Sequence, residues 1–408
     1  MTPKVYILIP TKNRYDTLKF AVQTCLNQEY DNLEIIVSDN YSSDNTQNIL
    51  SEFSDPRLKY QRTDKPLPMI YSWEFALSAV KEEGFVHFMG DDNGLTFDAI
   101  QRVVNIANTT GHKIIHGQPI QYTWPNDQIL NGFVSIPKGE NIYVINSQSA
   151  LKAAYGLTIG FDRMPTINAS FIHTSIIEKA KTFFDGKYFI ASNPDVCSSI
   201  VNAYFEKEYI FTEKPFMING ASVHSNGMQG GSKSKSGFVI DNINGGYEYH
   251  KLFPPSKSYY MNVYEAFAKV SDAFNKTGDF YKLNYSKLYN KFKKEEYIKM
   301  KRFWLYDDLI KFAFLNHIND SPIFLPEVNM PLSDPTMGKQ KLIHDNGVML
   351  SFYSEYISLN NVNEVSIFSS DIINNNELVK KSNINYYERI KRFIMYNIVL
   401  KTKRLNVE

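Results

Sequence analysis

The first 110 residues alternate continuous apolar runs with stretches of helical spacing. Val5 to Ile9 is an unbroken apolar run, the pattern of a strand buried on both faces of a parallel sheet. It leads into the polar stretch Pro10-Thr11-Lys12-Asn13-Arg14, after which Leu18, Ala21, Val22, Cys25 and Leu26 recur at the spacing of an amphipathic helix. Leu33 to Val37 predicts a second buried strand, closing on Ser38-Asp39-Asn40-Tyr41-Ser42-Ser43-Asp44, where Ser43 or Asp44 is placed to cap a helix reaching Phe53. A third strand is predicted over Leu58–Gln61 and a helix over Ile70–Lys81, with Trp73, Ala76, Leu77 and Val80 on one face. That phase makes core packing the expected role of Trp73, with stacking on a ligand as the other reading. A fourth strand over Phe85–Met89 carries Gly90-Asp91-Asp92-Asn93 at its carboxyl end. Three strand ends thus bear polar or acidic loops, which is where open α/β sheets bind ligands.

Beyond Gln118 the pattern is mixed, with short extended pieces around Tyr122, Phe133 and Tyr143. Pro194, behind Ser192 and Asn193, is a natural helix opening for the periodic residues Val196, Ile200, Val201 and Tyr204. The glycine, serine and lysine of 228–237 cannot pack a core, so that run reads as a linker or a mobile lid. After Tyr247 helical periodicity returns, notably over Val263–Phe274 and Tyr297–His317. The expected organisation is an α/β domain over 1–237 followed by a mostly α-helical domain over 238–408. No internal repeat is evident.

Composition narrows the chemistry. Forty-four Lys+Arg balance 43 Asp+Glu for a net charge of +1, so no global field recruits nucleic acid, and none is expected as a partner. Hydrophobic residues at 43% with charged residues at 21% describe a soluble globular chain. The two cysteines, Cys25 and Cys197, each lie inside an apolar periodic segment, which excludes a disulfide framework and points to a reducing compartment. Met1-Thr2-Pro3-Lys4 runs directly into a strand too short for a signal core, and no apolar stretch approaches about 18 residues, so a cytoplasmic location without a spanning helix is expected. The first glycine is Gly84, so neither of the first two strand-to-helix turns can be a G-x-G-x-x-G loop or a P-loop. Nicotinamide and kinase chemistry lose their footing there, and a nucleotide would have to be held by side chains.

The stretch I-L-I-P-T-K-N-R from Ile7, then I-I-V-S-D-N-Y-S-S-D-N-T up to Thr46, then F-M-G-D-D-N-G-L over Phe88–Leu95, resembles the bacterial family-2 glycosyltransferases of the GT-A fold. The resemblance covers about the first 240 residues, most strongly the first 110. It implies a Rossmann-like mixed sheet flanked by helices and an inverting transfer from a nucleotide-sugar. By the same resemblance Pro10, Thr11, Asn13, Arg14, Asp39 and Asn40 line the nucleotide pocket, Asp39 accepting the nucleobase N–H. The family commonly has a second aspartate and then glycine after Asp39, where this chain has Asn40 and Tyr41. Asp91 and Asp92 match the D-x-D region, with Gly90 where many members have the first aspartate; Asp91 would contact the ribose and Asp92 a divalent metal. A diphosphate leaving group gathers negative charge that a hard cation on carboxylate oxygen neutralises, so Mn²⁺ or Mg²⁺ is the expected cofactor.

Asp195, behind Pro194, matches the family's acidic residue after the central strands and is the candidate general base; the plain alternative is an ordinary helix-opening acid. His224 stands where many GT-A enzymes return a histidine to the metal or diphosphate, and a structural histidine is the equal alternative. Lys233 and Lys235 in the glycine-rich run could touch phosphate on lid closure. The tail 386–405 sets Ile390, Phe393, Ile394 and Ile398 on one helical face among basic residues, which suits either an anionic inner leaflet or docking on the body. The resulting expectation is a metal-dependent inverting glycosyltransferase using a UDP-sugar and a surface-polysaccharide acceptor, of capsule or O-antigen type, or a polyprenyl-linked glycan. Two alternatives stand beside it. One is a catalytically silent GT-A module that binds glycan or protein; the other is a sugar nucleotidyltransferase, which the missing glycine-rich N-terminal loop disfavours.

Overall fold

The computed structural model describes residues 2–125, 133–222, 225, 242–299, 302, 305–319, 343–345, 349–353, 359–374 and 403–405. Strand β1 (Lys4–Thr11) is buried on both faces, and its alternation feeds two cores. Val5, Ile7 and Ile9 face helices α1 (Tyr15–Leu26) and α4 (Ala99–Thr110), whereas Tyr6 and Leu8 face the opposite layer. That second layer holds α3 (Met69–Leu77), α5 (Ser147–Tyr155), α6 (Thr174–Phe183), α7 (Pro194–Phe205) and α8 (Tyr259–Asn275). Burying one such leucine or isoleucine stabilises the fold by about 1.5–3 kcal/mol.

β1 pairs in parallel with β2 (Leu33–Asp39) and with β4 (Gly84–Phe88), and β2 in parallel with β3 (Leu58–Arg62). The order β3-β2-β1-β4 places the third strand at one edge and brings the chain back to β4 beside β1. The strand order therefore reverses between β1 and β4, and the crevice beyond their carboxyl ends is the topological switch point. The sheet continues through β10 (Ser170–His173), β6 (Ile114–Gly117), β11 (Glu208–Thr212), β9 (Ile142–Asn146) and β15 (Lys403–Leu405). β10 is antiparallel to both neighbours, so the sheet is mixed. A second sheet of six strands runs β13 (Ile343–Asp345), β14 (Met349–Tyr353), β8 (Phe133–Pro137), β7 (Ile120–Thr123), β12 (Met217–Ala221), β5 (Gly94–Leu95). This is the expected α/β arrangement, a mixed sheet flanked by helices with a helical part after it.

Several elements differ from their expected form. The helix expected to reach Phe53 is a 3₁₀ turn, Asn45–Asn48, followed by the short α2 (Ile49–Glu52). Asp44 does cap it, through Oδ1 to the Thr46 N–H at 3.0 Å, and its Oδ2 also takes the Tyr15 N–H at the start of α1 at 3.0 Å. α3 ends at Leu77 instead of Lys81, because the chain must turn to enter β4 at Gly84. The periodic run from Tyr297 to His317 is not one helix: a π-helical stretch closes at Lys299 and α10 (Tyr306–Leu315) starts afresh, after α9 (Tyr285–Phe292).

Elements of the second half join both sheets. β14 pairs with β8, β15 pairs with β9, and α11 (Val362–Asn374) covers the second sheet through Val362 and Val365. The expected boundary at 237, the glycine-rich run with Lys233 and Lys235, and most of the tail 386–405 lie outside the described residues. Of that tail Lys403–Leu405 is described, and it is a strand in place of the expected helix. No helix among the described residues is long and apolar enough to cross a membrane.

Candidate active site

Side chains from the ends of β1 and β4 meet across the switch point. Asp91, almost fully buried, accepts the Thr11 hydroxyl at Oδ2 (2.8 Å) and the Arg14 guanidinium at Oδ1 (3.0 Å). Burial pushes the Asp91 carboxyl up while Arg14 pulls it down, and Asp91 is the first cause of the raised Arg14 guanidinium. Arg14 keeps 22% of its side chain exposed, so one face of the cation still meets whatever enters the crevice. The loops after β1 and β2 are clasped to one another: Asn13 donates its N–H to Ser42 Oγ (2.8 Å), and its side-chain oxygen takes the Ser43 N–H (2.7 Å). Pro10, paired with Ser38, sits three residues before Asn13 of this clasp.

Two of the expected nucleotide-pocket residues, Asp39 and Asn40, make hydrogen bonds within the protein. Asp39 is fully buried, with Oδ1 taking the Ser42 N–H (2.8 Å) and Oδ2 taking the Tyr60 hydroxyl (2.7 Å) beside Arg62 (3.6 Å). A carboxylate bonded in this way organises the 40–44 loop. Asn40 likewise brackets Leu67, donating to its carbonyl and accepting its N–H, each at 2.8 Å. The exposed group at this strand end is Tyr41, whose ring lies 5.0 Å from the Arg62 guanidinium.

Asp92 turns away from Asp91. Its Oδ2 accepts the hydroxyls of Ser222 (2.8 Å) and Ser225 (2.5 Å), and its carbonyl accepts the Trp124 indole N–H (2.9 Å). The next residue, Asn93, takes the Gly220 N–H (2.9 Å), so the acidic loop is stitched to the end of β12. No group of three His, Cys, Asp or Glu that could hold a metal occurs among the described residues. A hard dication on one carboxylate completes its shell with phosphate oxygens and water, so Asp92 fits such an ion. Asp91, committed to Thr11 and Arg14, fits it less well. His224 lies outside the described residues.

Asp195 stands in the first turn of α7, where Pro194 at the first helical position presets the backbone. Its Oδ1 accepts the Val196 N–H at 2.8 Å, and burial raises the carboxyl above the ordinary range. It lines a cavity of about 450 Å³ together with Asn93 of the acidic loop. Trp73, Phe161, Asn168 and Asn193 are among the other walls, and α8 adds Tyr259 and Asn262. Trp73 stacks on Phe88 at 4.8 Å, the expected core packing, and also lines the cavity. His87 on β4 also lines the cavity, and burial drops its imidazole to about 4, so it is neutral near pH 7.

Ser222, Ser225, Trp124 and Asn93 were not among the expected site residues. The signal available for the first two was Gly220-Ala221-Ser222, a glycine inside a short apolar strand, which marks a close backbone approach.

Residues 6–158 match the profile of Glycosyl transferase family 2. The GalNAc(5)-diNAcBac-PP-undecaprenol beta-1,3-glucosyltransferase of Campylobacter jejuni subsp. jejuni serotype O:2 is 31% identical over 115 residues, 26% of this chain and 35% of that protein. The match therefore spans about a third of that relative's length. Among solved structures, S. aureus TarS 1-349 in complex with UDP-GlcNAc aligns at a TM-score of 0.48 and 10% identity, covering 76% of this chain and 79% of that one. The same fragment in complex with UDP gives 0.41 at 13% identity, over 77% and 83% of the two chains.

Proposed function

From a chain whose residues 6–158 are a glycosyl transferase family 2 domain, we propose that this protein is a metal-dependent inverting glycosyltransferase. It moves a sugar from a nucleoside diphosphate, UDP favoured, to a hydroxyl of a lipid-linked or growing surface glycan. The observation that carries the reading is the cavity that Asn93 of the acidic loop shares with Asp195. It puts the half-buried Asp195 carboxylate on the same space as the loop suited to a diphosphate.

In this reading the donor lies across the carboxyl ends of β1, β2 and β4, with the exposed face of Arg14 toward the phosphates. Asp92 holds Mn²⁺ or Mg²⁺, and His224 is the proposed second ligand. The ion, when bound, neutralises charge on the leaving diphosphate. Asp195 takes the proton of the acceptor hydroxyl as its oxygen bonds to the anomeric carbon; the carbon–oxygen bond to the diphosphate breaks on the opposite face, and the diphosphate keeps the electron pair. A carboxyl raised by burial is a better base than an ordinary aspartate. Planar faces at Trp73 and Phe161 and amides at Asn168, Asn193 and Asn262 suit the apolar faces and hydroxyls of a sugar. The name of the Campylobacter relative supports a lipid-linked glycan as acceptor, and the tail 386–405 is the proposed peripheral membrane contact.

The test is thermal unfolding of wild type and Asp92→Ala with UDP, GDP, CDP and dTDP, with and without Mn²⁺, followed by nucleotide release from the matching sugar donors. A ligand at a hundred times its Kd adds about 2.7 kcal/mol. One nucleotide should raise the melting temperature of wild type only with metal, and Asp92→Ala should lose that rise. If no nucleotide shifts wild type, the silent-module reading takes over.

A further inference from the structure

The loop that delivers Asp195 is held by a buried carboxylate from the helical half. Glu265, on α8 and 1% exposed, gathers three donors. Its Oε2 accepts the Ser192 hydroxyl (3.0 Å), its Oε1 accepts the His250 N–H (2.9 Å), and the Tyr247 hydroxyl reaches both oxygens (3.0 and 3.1 Å). Tyr247 in turn accepts the Ser192 N–H at its hydroxyl (2.8 Å). Ser192, fully buried, is thus fastened at both its backbone and its side chain, three residues before Asp195. The following Asn193 accepts the Cys197 N–H at 2.9 Å, which starts α7 with Asp195 in its first turn.

A buried carboxylate in an otherwise apolar layer is costly unless every lone pair has work. Phe267, Val270 and Phe274 on the same helix are core, and one more apolar residue at 265 would pack there without such a network. What the carboxyl group does that a leucine would not is fix one serine from two directions. The same helix brings Tyr259 and Asn262 to the cavity wall. α8 therefore sets both the floor of the loop and one side of the space the loop faces.

We propose that Glu265 is a positioning residue for catalysis: through Tyr247 and Ser192 it holds the 192–195 loop so that the Asp195 carboxylate faces the acceptor hydroxyl. The inference rests on the reading of Asp195 as the base. A displacement of about 1 Å at such a group lowers turnover by roughly 100-fold. Loss of Glu265 acts on the proton-transfer step and leaves donor binding at β1, β2 and β4 alone.

The test uses the full chain, UDP-glucose as probe and UDP release as readout, with Glu265→Ala, Glu265→Gln, Asp195→Asn and the double variant Asp195→Asn/Glu265→Ala. Glu265→Ala should lower kcat by roughly 10- to 100-fold with KM for UDP-glucose unchanged. Glu265→Gln, which keeps one acceptor oxygen, should recover most of that loss. The double variant should be no slower than Asp195→Asn, because both act through one group. Losses that multiply in the double variant, or a change in KM alone, overturn the proposal. Tyr247→Phe removes the hydroxyl that holds the Ser192 N–H at nearly constant volume, so it decides the matter if Glu265→Ala fails to fold. Hydrogen exchange gives a second readout: the peptide containing Ser192 should exchange faster in Glu265→Ala while β1 and β2 are unchanged, and an unchanged Ser192 peptide refutes the brace. If Asp195→Asn retains full kcat, the base reading fails, even where the exchange result shows that Glu265 does hold the loop. A wild type that releases no nucleotide from UDP-glucose or from the GDP-, CDP- and dTDP-sugars removes the transferase reading itself.

Discussion

β12 passes so close to the acidic loop that a side chain at Gly220 has no room. A Cβ there would lie 1.8 Å from the Asp92 carbonyl oxygen and 2.7 Å from Trp124 Nε1. The obstacle is backbone, so no change of rotamer relieves it. The same approach carries the Gly220 N–H to Asn93 and the Trp124 indole N–H to the Asp92 carbonyl, both at 2.9 Å. In Gly220→Ala the contact must open from 1.8 Å to at least 3.0 Å, which moves the Asp92 backbone or β12 by more than ~1 Å. If Asp92 meets a metal and diphosphate as proposed, a shift of that size lowers kcat/KM by about 100-fold, or about 2.7 kcal/mol of transition-state stabilisation. The assay is nucleotide release from the donor that binds, at a temperature where each variant is folded by circular dichroism. Gly111→Ala is the control. Gly111 ends α4 at φ 70° with nothing within 4 Å of an added Cβ, so alanine strains the backbone by about 1–3 kcal/mol and leaves the site alone. It should melt earlier with kcat/KM unchanged. A Gly220→Ala enzyme within about threefold of wild type would refute the claim that β12 holds Asp92 in place.

Two other substitutions separate chemistry from stability. Asp195→Asn should lower turnover by about 10²–10⁴-fold while keeping the acceptor for the Val196 N–H. Because burial raises the wild-type carboxyl in the folded state, wild-type stability falls as pH rises through that raised value; asparagine carries no such penalty, so the variant should melt higher than wild type at neutral pH and lose the advantage in acid. An advantage that does not grow with pH means that the Asp195 carboxyl is not raised in the folded protein. Arg14→Ala strips the guanidinium from buried Asp91. Breaking a fully buried pair costs about 3–5 kcal/mol, and with Arg14 still 22% exposed about 2 kcal/mol is expected. The loss should be full at neutral pH and shrink in acid, where a protonated Asp91 needs no cation; chemical denaturation at the two pH values measures it, and an equal loss at both contradicts the pairing.

What could be read from the sequence was whatever lies within a few residues of itself. The apolar run Val5–Ile9, the acids after β4 and the proline that opens α7 each announce their position locally, and each stands where expected. The rest depends on partners far along the chain. The hydrogen bonds of Asp39 to Tyr60, one strand over, and to Ser42 had no sign in the residues beside it. Asp92 is steadied by serines 130 and 133 residues later, beyond a strand whose only local sign was a glycine. β13, β14 and β15 are three to five residues long, too short to carry a period against the helical composition around them. Glu265 was hidden for the opposite reason: it sits inside a clear helical period, at a position where the pattern asks only for something buried. An acid on the buried face of an amphipathic helix breaks that pattern, and the break is the trace of its partner. Here the partner is Ser192, 73 residues earlier, and the carboxylate that this serine helps to place is the one proposed as the base.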